Sequence, residues 1–189
     1  MRLFIAVTID TNVVAGMSES IDELRQRVAT SAPRARVRWV PAGQLHVTVR
    51  FIGEASETHA ANIATALGPA LPLERFELAF RGLGVFPGRG APRVFWAGIV
   101  AGVEHLAAVE SDVTRRLDTC GIAPDGRPYR PHVTLARVKD AGGLRVRGLF
   151  DGIGHRAFGT SAVDAITLFQ SRPSSDGSVY VPLHSTRLR

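Results

Sequence analysis

The chain opens on a nearly unbroken apolar run, Arg2–Ile9, which predicts a buried strand beginning at the second residue. Asp10, Thr11 and Asn12 interrupt it. Ile21, Leu24 and Val28 then recur at helical spacing within Ser18–Thr30, with Ser18 or Ser20 available as an N-cap and Pro33 ending the helical tendency. Val37–Val40 and Leu45–Ile52 read as extended pieces around a Pro41-Ala42-Gly43 turn. Glu57–Leu67 suits a second helix, with Ile63 and Leu67 on one side. Leu71–Leu83 returns to extended character, Gly82 to Gly90 is punctuated by glycine, and Val94–Val100 is a further strand. From Val103 to Cys120, Leu106, Val109, Val113 and Leu117 make one apolar helical face, and Gly121 is a natural stop. Strands follow at His132–Val138, Val163–Phe169 and Val179–Leu183, the last two separated by a glycine-bearing loop at Ser174–Ser178. Each half of this order places a helix ahead of a similar strand, which suggests a duplicated architecture.

Two of the predicted strands share a string. His46-Val47-Thr48 and His132-Val133-Thr134 lie 86 positions apart. A period of two turns histidine and threonine to one face, with Val47 and Val49, or Val133 and Leu135, on the other. Sheet propensity alone explains one such strand. The same register twice points instead to a shared site holding two imidazoles and two hydroxyls.

Composition narrows the classes. The 189 residues, 45% hydrophobic and 21% charged, suffice for a substantial core and argue against disorder. The formal charge is +6, carried by arginine because Lys139 is the only lysine. Guanidinium groups suit bidentate phosphate contacts, although a compositional preference for arginine accounts for part of the count. Cys120 is the single cysteine, so neither an intramolecular disulfide nor a cysteine-based zinc cluster forms. No run matches a signal peptide or membrane span, so the expected location is cytoplasmic. The glycines at 82, 84, 88 and 90 fit neither a dinucleotide nor a P-loop spacing.

His46-Val47-Thr48-Val49 and His132-Val133-Thr134-Leu135 resemble the paired His-x-Thr/Ser-x motifs of the 2H phosphoesterase superfamily. The flanks are similar to those of its bacterial and archaeal RNA 2',3'-cyclic phosphodiesterases, also described as 2'-5' RNA ligases. These flanks are Arg2-Leu3-Phe4-Ile5-Ala6, Trp39, Phe51-Ile52-Gly53, Pro92-Arg93-Val94-Phe95-Trp96, Phe169-Gln170-Ser171 and Tyr180. The most specific block is Arg130-Pro131-His132-Val133-Thr134-Leu135-Ala136-Arg137. Asp10-Thr11-Asn12 departs from the family, which often has proline after the first strand, and an altered entrance loop or cap is expected there.

The resemblance implies an α+β, bilobal fold with two antiparallel sheets flanking a central cleft and helices on the outer faces. Residues 1–189 would form a single compact catalytic domain of two pseudo-symmetric lobes. One would carry His46 and Thr48 and the other His132 and Thr134, facing across the cleft. The implied activity is hydrolysis of RNA 2',3'-cyclic phosphate termini to 2'-phosphomonoester ends, with reversible 2'-5' RNA ligation beside it. In that role His132 is the base that activates water and His46 the acid that protonates the departing ribose 3' oxygen. Thr48 and Thr134 would donate to the nonbridging phosphate oxygens. The resemblance also places Arg137 near the reacting phosphate, although strict alternation from His132 turns it to the opposite face. Arg130 is a second candidate for the RNA backbone, and Tyr129, directly before it, is the leading candidate for base contact.

The remaining histidines, His59, His105, His155 and His184, lack the repeated context and read as surface or structural residues. Neither cofactor nor metal is expected, since no HxxxH or HExxH string occurs. A metal hydrolase drawing on Asp10, Asp125 or Asp164 nonetheless stays open at this level. So do a phosphodiesterase of small 2',3'-cyclic phosphates and a noncatalytic RNA-binding protein. Both motifs reside in one chain, so the expected state is a monomer, with RNA or a small cyclic phosphate as its partner.

Overall fold

Strand β1 (Arg2–Thr8) shows in its side chains how the protein is layered. Leu3, Ile5 and Val7 enter the main apolar core, whereas Phe4 and Ala6 are buried outside that cluster, on the opposite face. The remaining strands are β2 (Arg36–Trp39), β3 (His46–Glu54), β4 (Phe76–Phe86), β5 (Val94–Ala101), β6 (Val133–Asp140), β7 (Ala157–Val163), β8 (Ala165–Ser174) and β9 (Gly177–Arg187). The helices are α1 (Thr11–Ser31), α2 (Glu57–Leu67) and α3 (Val103–Asp118). This computed structural model describes residues 1–174 and 177–189. Part of the loop expected at Ser174–Ser178 therefore lies outside the described residues.

The expectation of two sheets is overturned. Among the described residues all nine strands belong to one sheet, in the order β7-β4-β5-β6-β3-β1-β8-β9, with β2 paired to β6 off that path. The sheet curves as a half-barrel. Its halves are joined where Val47 of β3 pairs with Val133 of β6, so the two HVT strands are antiparallel neighbours and do not face each other across a gap between sheets. Beyond Val133, β6 exchanges β3 for β2, through Trp39 opposite Ala136 and Arg38 opposite Arg137. Handing the edge from β3 to β2 keeps the β6 backbone paired as β3 diverges, and paired edges are what sheets require.

The helices cover one face of this sheet. Helix α1 buries Val13, Met17, Ile21, Leu24 and Val28, and α3 buries Leu106, Val109, Val113 and Leu117. The predicted α1 starts too late. It begins at Thr11, because Ser18 Oγ donates to the Val14 carbonyl inside the helix and buried Ser20 accepts from Arg156. Asp10 occupies the N-cap position without capping the helix, since its carboxylate accepts from the Ala162 N–H at 3.2 Å. The unusual Asp10 thus ties the start of α1 to β7. Gly121 closes α3 as expected: at φ 76° it lets the Ile122 N–H reach the Leu117 carbonyl at 3.1 Å. Among the described residues no helix is long and apolar enough to cross a membrane.

Candidate active site

Both HVT strands carry the same irregularity. In β3, Thr48 is opposite Ala6 and Arg50 opposite Ile5, leaving Val49 as an extra residue. In β6, Thr134 is opposite Trp96 and Ala136 opposite Phe95, leaving Leu135 extra. A bulge of this kind reverses the alternation beyond it. Val49 and Arg50 are consequently both buried, as are Leu135 and Ala136. The fifth residue after each histidine, Phe51 or Arg137, returns to the histidine's face. The strict alternation that turned Arg137 away from His132 is therefore corrected by one inserted residue.

Each imidazole is held by the same contact. His46 Nδ1–H donates to the Gln44 carbonyl and His132 Nδ1–H to the Arg130 carbonyl, both at 2.7 Å. Only a protonated nitrogen can donate to a carbonyl, so in each neutral ring the lone pair resides on Nε2. His46 Nε2 lies 3.1 Å from Thr48 Oγ1, which donates to it in that tautomer. No corresponding partner meets His132 Nε2 among the described residues. Aromatic rings flank both sites. Phe4 and Tyr180 lie 5.1 and 5.4 Å from the His46 ring, and Phe86 stands edge-on to His132 at 5.2 Å.

Electrostatics biases both imidazoles toward neutrality. Burial is the main cause that lowers the His46 pKa, with the positive charge of Arg137 and the proximity of His132 adding to it against the Gln44 carbonyl. Burial also leads for His132, opposed by the Arg130 carbonyl and reinforced by Arg137. The Arg137 charge thus acts on both rings.

The other predicted residues divide. Thr134 sits on β6 beside Trp96 of β5, two residues from His132. Arg130 is exposed, and its backbone rather than its side chain orients His132. Tyr129 packs against the core, and its hydroxyl donates to the Thr48 carbonyl at 3.1 Å, fastening the approach to His132 onto β3. Burial, then the Glu110 carboxylate, pushes the Tyr129 phenol well up. Buried Arg50 adds a second fastening by donating to the Ala123 carbonyl at 2.6 Å. Sequence reading passed over Arg50, Phe86 and Arg38 because the contacts that place them cross distant strands, and Gln44 because it acts on His46 through its backbone carbonyl, which no side-chain pattern marks. Of the carboxylates weighed as ligands, Asp10 is engaged by Ala162 and Asp125 by Arg127. Among the described residues no three His, Cys, Asp or Glu side chains converge.

Residues 13–172 match the family described as the 2'-5' RNA ligase superfamily. An RNA 2',3'-cyclic phosphodiesterase of Aeropyrum pernix is 37% identical over 166 residues, covering 87% of this chain and 92% of that protein. One from Thermus thermophilus is 33% identical over 203 residues, covering 100% and 91%. Among solved structures, a Thermus thermophilus protein matches with a TM-score of 0.78 at 28% identity, covering 100% of this chain and 98% of that one. Escherichia coli LigT complexed with 3'-AMP shares the fold with a TM-score of 0.74 at 22% identity, covering 99% and 97%. With its two clamped histidines on adjacent bulged strands, the chain belongs to the 2'-5' RNA ligase superfamily, within the 2H phosphoesterases and alongside the bacterial and archaeal RNA 2',3'-cyclic phosphodiesterases.

Proposed function

We propose that the protein hydrolyses RNA 2',3'-cyclic phosphate ends to 2'-phosphomonoesters by general acid–base catalysis between His46 and His132. The observation that carries this reading is the duplicated clamp: each Nδ1–H is committed to a carbonyl at 2.7 Å, which puts the lone pair of each neutral ring on Nε2, the atom that exchanges protons. His132 Nε2 takes a proton from water as the water oxygen bonds to phosphorus. The bond from phosphorus to the ribose 3' oxygen breaks, and protonated His46 delivers its Nε2 proton to that oxygen. Lowered basicity suits the neutral base in the free enzyme, and the negative phosphate favours protonation of the partner once substrate binds. Thr48 and Thr134 donate to the nonbridging oxygens while Arg137 balances their charge. When an RNA 5'-hydroxyl takes the place of water, the same proton transfers join it to phosphorus as the bond to the 3' oxygen breaks, giving a 2'-5' phosphodiester.

Both histidines belong to one chain, so this chemistry requires no second subunit. Exposed Phe51, 57% accessible, and Tyr180 lie in the aromatic group around Phe4 and offer stacking surface for a terminal base. The test is incubation with an RNA oligonucleotide ending in a 2',3'-cyclic phosphate, with and without a chelator, and identification of the product by phosphorus NMR. A 2'-phosphate formed equally in both arms is expected. A 3'-phosphate overturns the assigned bond cleavage, and a strict requirement for one added metal overturns the two-histidine mechanism.

A further inference from the structure

We propose that Arg38 is a second phosphate-binding residue, which holds the phosphodiester next to the reacting group and makes the enzyme prefer a polynucleotide end over a mononucleotide. This inference rests on the hydrolytic reading above. Arg38 of β2 is the direct cross-strand partner of Arg137 of β6. Residues so paired project to one face with Cβ atoms about 5 Å apart, and like charges there destabilise a sheet. Among the described residues neither guanidinium meets a carboxylate within ion-pair distance. The next arginine along β2, Arg36, is by contrast opposite Asp140. Among the described residues, two positive charges without an ion-pair partner therefore stand side by side, a short way along β6 from the Val133 junction and on the histidines' face.

The surroundings hold Arg38 outside the reacting centre. Its Nη2 donates to Ser178 Oγ at 3.5 Å, and Gln44 Nε2 donates to the Ser178 carbonyl at 2.6 Å. The residue whose carbonyl clamps His46 thus also anchors β9 beside Arg38. The positive charge of Arg137 lowers the pKa of both histidines, and Arg38 stands one strand further from them, on β2. Two adjacent guanidinium groups, one within reach of the imidazoles' charges and one displaced along β2, match a ligand with consecutive anions. A nucleic acid backbone is that ligand, and phosphate contacts of this type position a strand without reading its sequence.

The experiment compares Arg38→Gln, Arg38→Lys and the unmodified protein on a 2',3'-cyclic-phosphate-ended oligonucleotide and on the mononucleoside 2',3'-cyclic phosphate with the same base. Arg38→Gln should lower the oligonucleotide-to-mononucleotide ratio of kcat/KM by about tenfold, the scale of one charged hydrogen bond. It should also reduce the salt slope for the oligonucleotide by about one. Arg38→Lys keeps the point charge and should recover part of the ratio. An unaltered ratio overturns the assignment, including when both substrates slow equally. Calorimetric binding of the corresponding 2'-phosphate oligonucleotide and mononucleotide provides the same contrast without turnover. Failure of the unmodified protein to hydrolyse either substrate would overturn the hydrolytic reading, while an unchanged binding ratio would overturn the role of Arg38.

Discussion

Gly84→Ala tests whether a stack of rings behind His132 fixes its position. Gly84 of β4 pairs with Trp96 of β5. A Cβ at Gly84 would stand 2.5 and 2.6 Å from Trp96 Cη2 and Cε2, and closer still to Cζ2. Carbon atoms pack best at about 3.5–4.0 Å, so the indole must retreat by roughly 1 Å. Its way is obstructed: Phe86 packs at 5.3 Å from Trp96 and itself stands 5.2 Å from His132. The displacement therefore reaches the imidazole. Overpacking costs about 1–3 kcal/mol, and misplacing a catalytic group by about 1 Å costs about 10²-fold in rate. Urea unfolding measures the first effect and kcat/KM on a cyclic-phosphate-ended oligonucleotide the second. Gly88→Ala is the control, since nothing lies within 4 Å of its Cβ position. Lower stability with unchanged kcat/KM in Gly84→Ala would refute positioning through Trp96 and Phe86.

The hydroxyls, the arginine and the imidazoles each give a further prediction. Thr48→Ala and Thr134→Ala should each lower kcat by about 10²-fold with little change in urea unfolding; a loss of folding that accounts for the loss of activity refutes the anion-binding role. Arg137→Gln removes a positive charge that disfavours both imidazolium forms. Both histidine pKa values should rise, moving the pH profile of kcat/KM to higher pH, and an unmoved profile contradicts this coupling. Because both values are depressed below the ordinary 6.5, the folded protein binds fewer imidazole protons than the unfolded chain between the lowered values and 6.5. Stability should fall as pH drops through that window, and the decline should be shallower in the His46→Gln/His132→Gln double variant.

Much of the site was legible because its determinants are local. The period of two placed each histidine beside its threonine, whereas the carbonyl that clamps each Nδ1, though only two positions earlier, belongs to the backbone and leaves no mark in the side-chain pattern. Helix α3 was similarly legible from Leu106, Val109, Val113 and Leu117. The single sheet was not, because it depends on Val47 meeting Val133 and on β2 taking over the β6 edge, pairings between segments far apart in the chain. Strand β7 escaped notice because Ala157–Val163 is interrupted by glycine, threonine and serine and is recruited by pairing with β4. Asp10 misled the placement of α1 because its carboxylate serves a backbone N–H from 152 residues away.

The bulges explain how a duplicated frame becomes an asymmetric site. At the two histidines the frame repeats: a carbonyl two residues before, a threonine two after, and an extra residue three after. Past the bulge the repetition stops, with Phe51 following His46 and Arg137 following His132 on the same side of the sheet. The first lies near Phe4, within the apolar group formed by Phe4, Phe169 and Tyr180. The second lies beside Arg38 and adds positive charge. Regular alternation through Leu135, with no bulge there, would exchange the faces of Ala136 and Arg137, burying a guanidinium without a partner. The bulge is therefore required by the chemistry of position 137: it lets a charged residue follow a core strand while its charge remains on the face of the two imidazoles.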